Sequence, residues 1–282
     1  MKWRDQKTSS NVEDKRLQTS TAGINLQALI PLIRWLLGSK FGRIILIIGV
    51  IAMFLGYNPL SMVGLSSSSN DYEISAEDEE SAQFVGVVLA QTEKVWGQIF
   101  ANSNARYVEP KLVLFRGAVN SGCGFASSQT GPFYCPADSK VYLDLSFFDE
   151  LANRHDAPGD FAAAYVVAHE IGHHVQNLLG ILDQKEREKI GVSQTKQNIV
   201  QVSTELQADC FAGIWAHYTK ELLDDGDIEE ALNAASMIGD DTLQKKAQGY
   251  VVPDSFTHGS AKQRKEAFYR GFNSGQVSSC KF

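Results

Sequence analysis

The sequence predicts an α+β fold, mostly helical with a small sheet, placed after one N-terminal transmembrane helix. Three observations carry this reading. An uncharged apolar run starts at Ile44 and continues to about Val63, and roughly twenty residues are enough to cross the hydrocarbon core of a bilayer. Beyond it, apolar residues recur with helical period over long segments, and only two short runs, Lys111–Val119 and Lys140–Leu145, read as strands. Finally, the stretch Val166–Val175 is apolar on both sides of His169-Glu170-Ile171-Gly172-His173, which marks a buried helix carrying chemistry.

Taken in order, residues 1–41 read as a basic, mostly disordered cytoplasmic tail whose end, with Arg34 and Trp35, suits the headgroup level. Residues 42–64 form the expected span and 65–81 a flexible linker, rich in serine and then acidic. Positive charge before the span and acidic charge after it place the N-terminus in the cytoplasm and residues 82–282 outside, in the periplasm or at the cell surface. Net charge is −7. The basic residues crowd the N-terminal end, so the main domain is strongly acidic, and binding to nucleic acid phosphates is excluded as a function class.

Within the domain, Phe84, Val85, Val88, Leu89, Val95, Trp96 and Ile99 follow a helical period from about Ala82 to Phe100. The two strands come next, separated by glycine-rich turns, and a short helix follows near Phe147–Leu151. The central helix runs from an N-cap at Asp160 to a C′ glycine at Gly180. Gly172 costs that helix about 1 kcal/mol relative to Ala, so it should admit a close neighbour. A polar stretch, Asp183–Asn198, leads to a second helix from about Val200 to Leu223. Shorter helices are expected at Ile228–Met237, Asp241–Gln248 and Ser260–Asn273.

Cys123, Cys135, Cys210 and Cys280 are an even set in a domain expected outside the cytoplasm, where disulfides persist. Three pairings are possible. Cys123–Cys135 joins neighbouring turn-rich loops, and Cys210–Cys280 ties the C-terminus to the second helix; this is the favoured pair. No Cys-x-x-Cys occurs, which argues against a cysteine zinc site.

A spacing of four puts His169 and His173 on one helical face, so two imidazoles can hold one zinc ion while Glu170 serves as general base. In a chain of this composition the bare pattern arises by chance about 0.007 times, against the alternative of a core helix with incidental histidines. A catalytic zinc needs a third ligand, and Glu205 is the best candidate. Asp209, one turn further on the same helix, can accept a hydrogen bond from a ligand histidine and orient it. The bland alternative is a solvated helix face, but the flanking Phe211, Ile214 and Trp215 argue for burial. His174 points about 100° away from His173 and suits a structural hydrogen bond. His155 and His217 read as surface or satisfied core residues. His258 stands just ahead of a helix start, where it can stabilise an oxyanion with Arg264 in support, or simply sit beside a cap with a surface arginine.

These residues resemble a known group. His-Glu-Ile-Gly-His followed by Glu205-x-x-x-Asp209 is similar to the gluzincin metallopeptidases. His258 with Arg264 six residues beyond resembles the His-Pro…Arg stretch of membrane-bound Ste24/HtpX-like peptidases, with Gly259 in place of proline. The Lys2-Trp3-Arg4 and Ser9–Asp14 start, the span, and the Gly122-x-Cys…Pro132-Phe-Tyr-Cys-Pro136 loop resemble the bacterial "putative neutral zinc metallopeptidase" family over nearly the whole chain. The resemblance implies a zincin-like fold, Zn2+ as cofactor, and hydrolysis of peptide or protein substrates by a membrane-anchored enzyme. It assigns His169, His173 and Glu205 as metal ligands, Glu170 and His258 as catalytic residues, and Asp209 and Arg264 as their supports. It also makes Lys140–Leu145 the substrate-binding edge strand. The rival readings are a non-catalytic zinc-binding scaffold or assembly factor of the cell envelope, and a metal-free envelope interaction protein.

Overall fold

In chain order, the computed structural model contains β1 (Val12–Asp14), α1 (Ala76–Asn102), β2 (Lys111–Phe115), β3 (Ala118–Ser121), β4 (Gly124–Ser127), β5 (Phe133–Cys135) and β6 (Lys140–Asp144). The helices α2 (Ser146–Asn153), α3 (Asp160–Leu178), α4 (Ile181–Lys189), α5 (Gln194–Tyr218), α6 (Asp227–Met237), α7 (Asp240–Gln248) and α8 (Ala261–Ser274) complete it. It describes residues 1–18, 38, 74–154 and 157–282. The architecture is mostly helical with small sheets. The span expected over 42–64 and most of the 65–81 linker lie outside the described residues, as does His155. Among the described residues, no helix is long and apolar enough to cross a membrane.

Helix α3 is buried almost all round, because its Ala, Val and aromatic residues leave no polar face to show to water. It packs against α1, α5 and α6 and against β5 and β6. Its contact with α5 is unusually close: a Cβ on Gly172 would stand 2.9 Å from the carbonyl oxygen of Ala208. Gly213 faces α8, where an added methyl would overlap the Phe268 carbonyl; Gly271 answers it against Cys210. The central helix starts one residue earlier in its cap than expected, with Gly159 as N-cap and Asp160 as the first helical residue. Gly180, at φ 70°, ends it as expected. The polar stretch after it is largely helical, because α4 and the start of α5 occupy it.

The main sheet has the order β1-β2-β6-β5, with β1, β2 and β6 parallel and β5 antiparallel. Four consecutive buried residues, Leu112–Phe115, fit the interior position of β2. The expected strand Lys111–Val119 is two strands, since the chain turns at Gly117 (φ 73°) into the separate β3–β4 hairpin. Lys140–Leu145, expected at the edge, is interior instead. The short β5 takes the edge, because the chain folds back after Cys135 to pair antiparallel with β6. Both expected disulfides form, Cys123–Cys135 and Cys210–Cys280.

The N-terminal residues differ most from expectation. Residues 1–18 are not a disordered tail but part of the domain. Trp3 is buried edge-on against Phe84, and β1 pairs with β2 from Val12↔Leu112 to Asp14↔Leu114. Arg16, also buried, holds Asp14 and reaches the Asp78 carbonyl and the Glu79 carboxylate at the start of α1. The Met1 ammonium lies against Asp160, Asp224 and Asp227. Backbone pairing of β1 with β2 and one buried indole outweigh the polar composition that suggested disorder. Trp3→Ala should therefore lower the unfolding free energy by about 3–5 kcal/mol, a core-sized loss that chemical denaturation of the full chain will register; a change within about 0.5 kcal/mol would mean the segment is merely draped on the surface.

Candidate metal centre

Helical spacing on α3 brings His169 and His173 to one face, and α5 crosses that face with Glu205 and Asp209 one turn apart. Nε2 of His169 lies 3.1 Å from Oε2 of Glu205, and Nε2 of His173 lies 3.2 Å from the same oxygen. The three donor atoms lie within 4.8 Å of one another. Two imidazole nitrogens and one carboxylate oxygen converging in this way fit a zinc site with a position left for water.

The outward nitrogens explain why the inward ones converge. Nδ1–H of His169 donates to Oδ1 of Asp209 at 2.8 Å, and Nδ1–H of His173 donates to Oε1 of Gln176 at 2.8 Å. Gln176 is itself fixed by donating to the Thr204 carbonyl and to Gln207 of α5, so each ligand ring is oriented by a partner that α5 holds in place. Gln201 donates to the second oxygen of Glu205 at 2.7 Å.

Asp209 is fully buried and every partner it has is polar or charged. Nε and Nη2 of Arg264 donate to its two oxygens, each at 2.9 Å, and the Tyr165 hydroxyl donates to Oδ1. Arg264 therefore does not stand beside His258 as a surface support. Its remaining donors reach Tyr165 and the Ile238 carbonyl, and it is 2 % exposed. Burial pushes the Asp209 carboxyl upward, but the charges of Arg264 and His169 outweigh it and hold Asp209 well below the usual carboxylate range. For His169, burial opposes the charged ring, yet Asp209 and the hydrogen bond to Glu205 raise it to about 10. His173 is raised as well, by Glu205 against the cost of burial. Glu205 is held far down by both rings, again against burial.

Glu170 precedes Ile171 on the buried helix, is 8 % exposed, and lines the same cleft as both histidines and Glu205. The cleft, about 680 Å³, is also lined by Gly131–Tyr134 around the edge strand β5, by Lys185 and Glu186 of α4, and by His258. The structure thus brings together His169, Glu170, His173, Glu205, His258 and Arg264 around one cavity. His258 is at the exposed rim. Backbone N–H groups of Thr257, His258 and Gly259 all donate to Oδ2 of Asp240, which fixes the turn that carries the ring.

This arrangement can be set beside known proteins. The family described as "Putative neutral zinc metallopeptidase" matches residues 1–282. The chain belongs to this family. It is 46 % identical over 288 residues to "Uncharacterized protein YpfJ" of Escherichia coli (strain K12), covering 99 % of this chain and 98 % of that one. It is 44 % identical over 187 residues to "Uncharacterized protein Rv2575" of Mycobacterium tuberculosis (strain ATCC 25618 / H37Rv), covering 62 % of each chain. No solved structure matches. For a member of this family, the fit of the His169, His173 and Glu205 donors to zinc is the central structural fact.

Sequence reasoning missed Tyr165, Gln176 and Gln201, because a glutamine or tyrosine on a helix carries no spacing signature. Their positions one or two turns from named ligands were the only hint. His174, expected to be structural, is: its Nε2–H donates to the Val108 carbonyl at 2.7 Å, so Nδ1 accepts from the Tyr134 hydroxyl of β5 at 3.0 Å. Burial lowers its pKa and keeps the ring neutral for that pairing. A second acidic group, Asp160, Asp227 and Glu230, is already engaged by the Met1 ammonium and the Phe161 N–H.

Two outcomes follow from this geometry. In Asp209→Asn one of the two acceptor oxygens becomes an NH2 donor, so the amide cannot serve His169, Tyr165 and Arg264 together, and the counter-charge of Arg264 is lost. Zinc affinity, measured against a competing chromophoric chelator, should fall about 10–100-fold, and the stability of the full chain by roughly 3–5 kcal/mol as Arg264 is left buried without its partner. Zinc affinity should also climb with pH. The raised histidines hold protons that the metal must displace, so acid favours the proton and alkali favours the metal. Calorimetry in buffers of differing ionisation heat should show proton release on binding at neutral pH; none would contradict the ligand assignment.

Proposed function

We propose that this chain is a zinc-dependent metallopeptidase with a zincin-like active site, hydrolysing peptide bonds in peptide or protein substrates in an envelope compartment. One observation carries the reading: Glu170, which the ligand set does not use, opens onto the same cleft as His169, His173 and Glu205. A structural zinc site has no need of a further buried carboxylate there. The two disulfides agree with an oxidising compartment.

When bound, zinc supplies a Lewis acid that polarises a scissile carbonyl and acidifies the attacking water. Glu170 accepts the proton of that water and returns it to the leaving amine. His258, steadied by the Asp240 turn, faces the cleft where negative charge develops on the carbonyl oxygen. The substrate backbone pairs along the free edge of β5, not along β6. Tyr134 of β5 is tied to α3 through His174 and Asn177, which fixes the edge strand against the helix that carries the metal ligands.

The test is cleavage of unfolded protein by the zinc-loaded full chain and by Glu170→Gln. The variant should keep its zinc and lose about 10²–10⁴-fold in turnover, the scale of a general base. If the zinc-loaded wild type is as inactive as the variant across varied substrates, the chain is a non-catalytic zinc-binding scaffold or assembly factor and the peptidase reading is withdrawn.

A further inference from the structure

The two ends of the stretch 19–73 meet on the same body. On its N-terminal side, Trp3 is 5 % exposed and packs on Phe84 of α1. β1 then pairs in register with β2, the Lys15 N–H donates to the Leu114 carbonyl, and Lys140 of β6 grips Glu13 at 2.9 Å. On the C-terminal side, α1 opens with a capping box at Ser75 and Asp78. The closing contact is Arg16, whose Nη1 and Nη2 reach the Asp78 carbonyl and the Glu79 carboxylate, each at 3.0 Å. The chain therefore leaves and re-enters the domain at neighbouring points.

This packing bears on how the chain meets a membrane. A hydrocarbon core is about 30 Å thick. A β-ladder, a buried indole and a buried guanidinium cannot be shared across it, so residues 1–18 and 74–282 must lie on one side. Yet the intervening sequence suits lipid: Ile44–Val63 is uncharged and largely apolar, and a shorter, mainly apolar stretch, Ile24–Leu37, interrupted by Asn25, Gln27 and Arg34, precedes it. Arg34 lies within that first stretch, three residues before its end, and Lys40 and Arg43 follow it, before Ile44. A single crossing with a cytoplasmic N-terminus would pull β1 from β2 and Trp3 from its pocket.

We propose that residues 1–18 and the metal-site domain lie together on the extracytoplasmic side of a lipid bilayer, so that the sequence between them crosses it an even number of times and the basic residues Lys40 and Arg43 face the cytoplasm. Positive charge there is what the positive-inside rule asks of a cytoplasmic loop. Residues 19–73 are 55 in number, enough for two passes of about twenty residues each, and the disulfides agree with a domain in the oxidising compartment. The inference stands independently of catalysis.

Labelling of the full chain in intact spheroplasts tests it. All four native cysteines are paired, so a single introduced thiol reports alone. Lys7→Cys and Lys262→Cys change exposed residues on the N-terminal segment and on α8, and Lys40→Cys reports the basic residues before Ile44. With a membrane-impermeant maleimide, positions 7 and 262 should label fully in intact spheroplasts and position 40 only after permeabilisation. Position 262 labelling while 7 is protected would restore a single crossing and overturn the proposal. So would labelling of all three without permeabilisation, which means no insertion, or protection of both 7 and 262, which means a cytoplasmic domain. Since none of these readouts needs bound zinc or turnover, failure here is separable from failure of the peptidase reading.

Discussion

The buried contact between Asp209 and Arg264 is the interaction on which the candidate site rests. A carboxylate with no water around it is costly unless every lone pair has a donor, and Asp209 meets that demand with Arg264, Tyr165 and His169, drawn from α8 and α3. The same bonds that satisfy the charge also fix the His169 ring, so its inward nitrogen points at Glu205. Charge satisfaction and ligand orientation are one arrangement. Arg264 belongs to it as a structural counter-ion, which is why the helix α8 that carries it packs so tightly on α5.

Close packing sets the distances over which that network can act. Gly172 lets α5 approach α3 until the Ala208 backbone occupies the space of a side chain, and Gly213 with Gly271 does the same for α5 and α8. Any added methyl group at these contacts would push the helices apart, and with them the carboxylates from the imidazoles. The Cys210–Cys280 bridge pins the C-terminal tail to the same helix. The floor of the cleft is thus rigid, whereas its rim, formed by the β5 edge, α4 and the His258 turn, is where a substrate would be read.

The sheet links that rim to the other end of the chain. β5 is tied to α3 through Tyr134, His174 and Asn177, and β1 closes the opposite edge of the same sheet. An edge that would otherwise expose β2 backbone groups is covered by the chain's own first residues, a common way of protecting a sheet edge. The N-terminal segment is therefore part of the domain that carries the metal centre.

Much of this was legible in the sequence. The helical period of the central segment, the four-residue spacings of His169 with His173 and of Glu205 with Asp209, and the caps near Asp160 and Gly180 follow from local pattern, because each depends on residues a turn apart; the disulfide pairing was the favoured one of three, and the fold decided it. What the sequence alone did not reveal depends on contacts between distant segments. The partner of Arg264, the edge role of β5, the orienting Gln176 and Gln201, and the docking of residues 1–18 are all decided by which surfaces meet. A polar N-terminal stretch reads as disordered until a hydrophobic groove elsewhere in the chain receives its one tryptophan, and only the tertiary structure brings that groove into being.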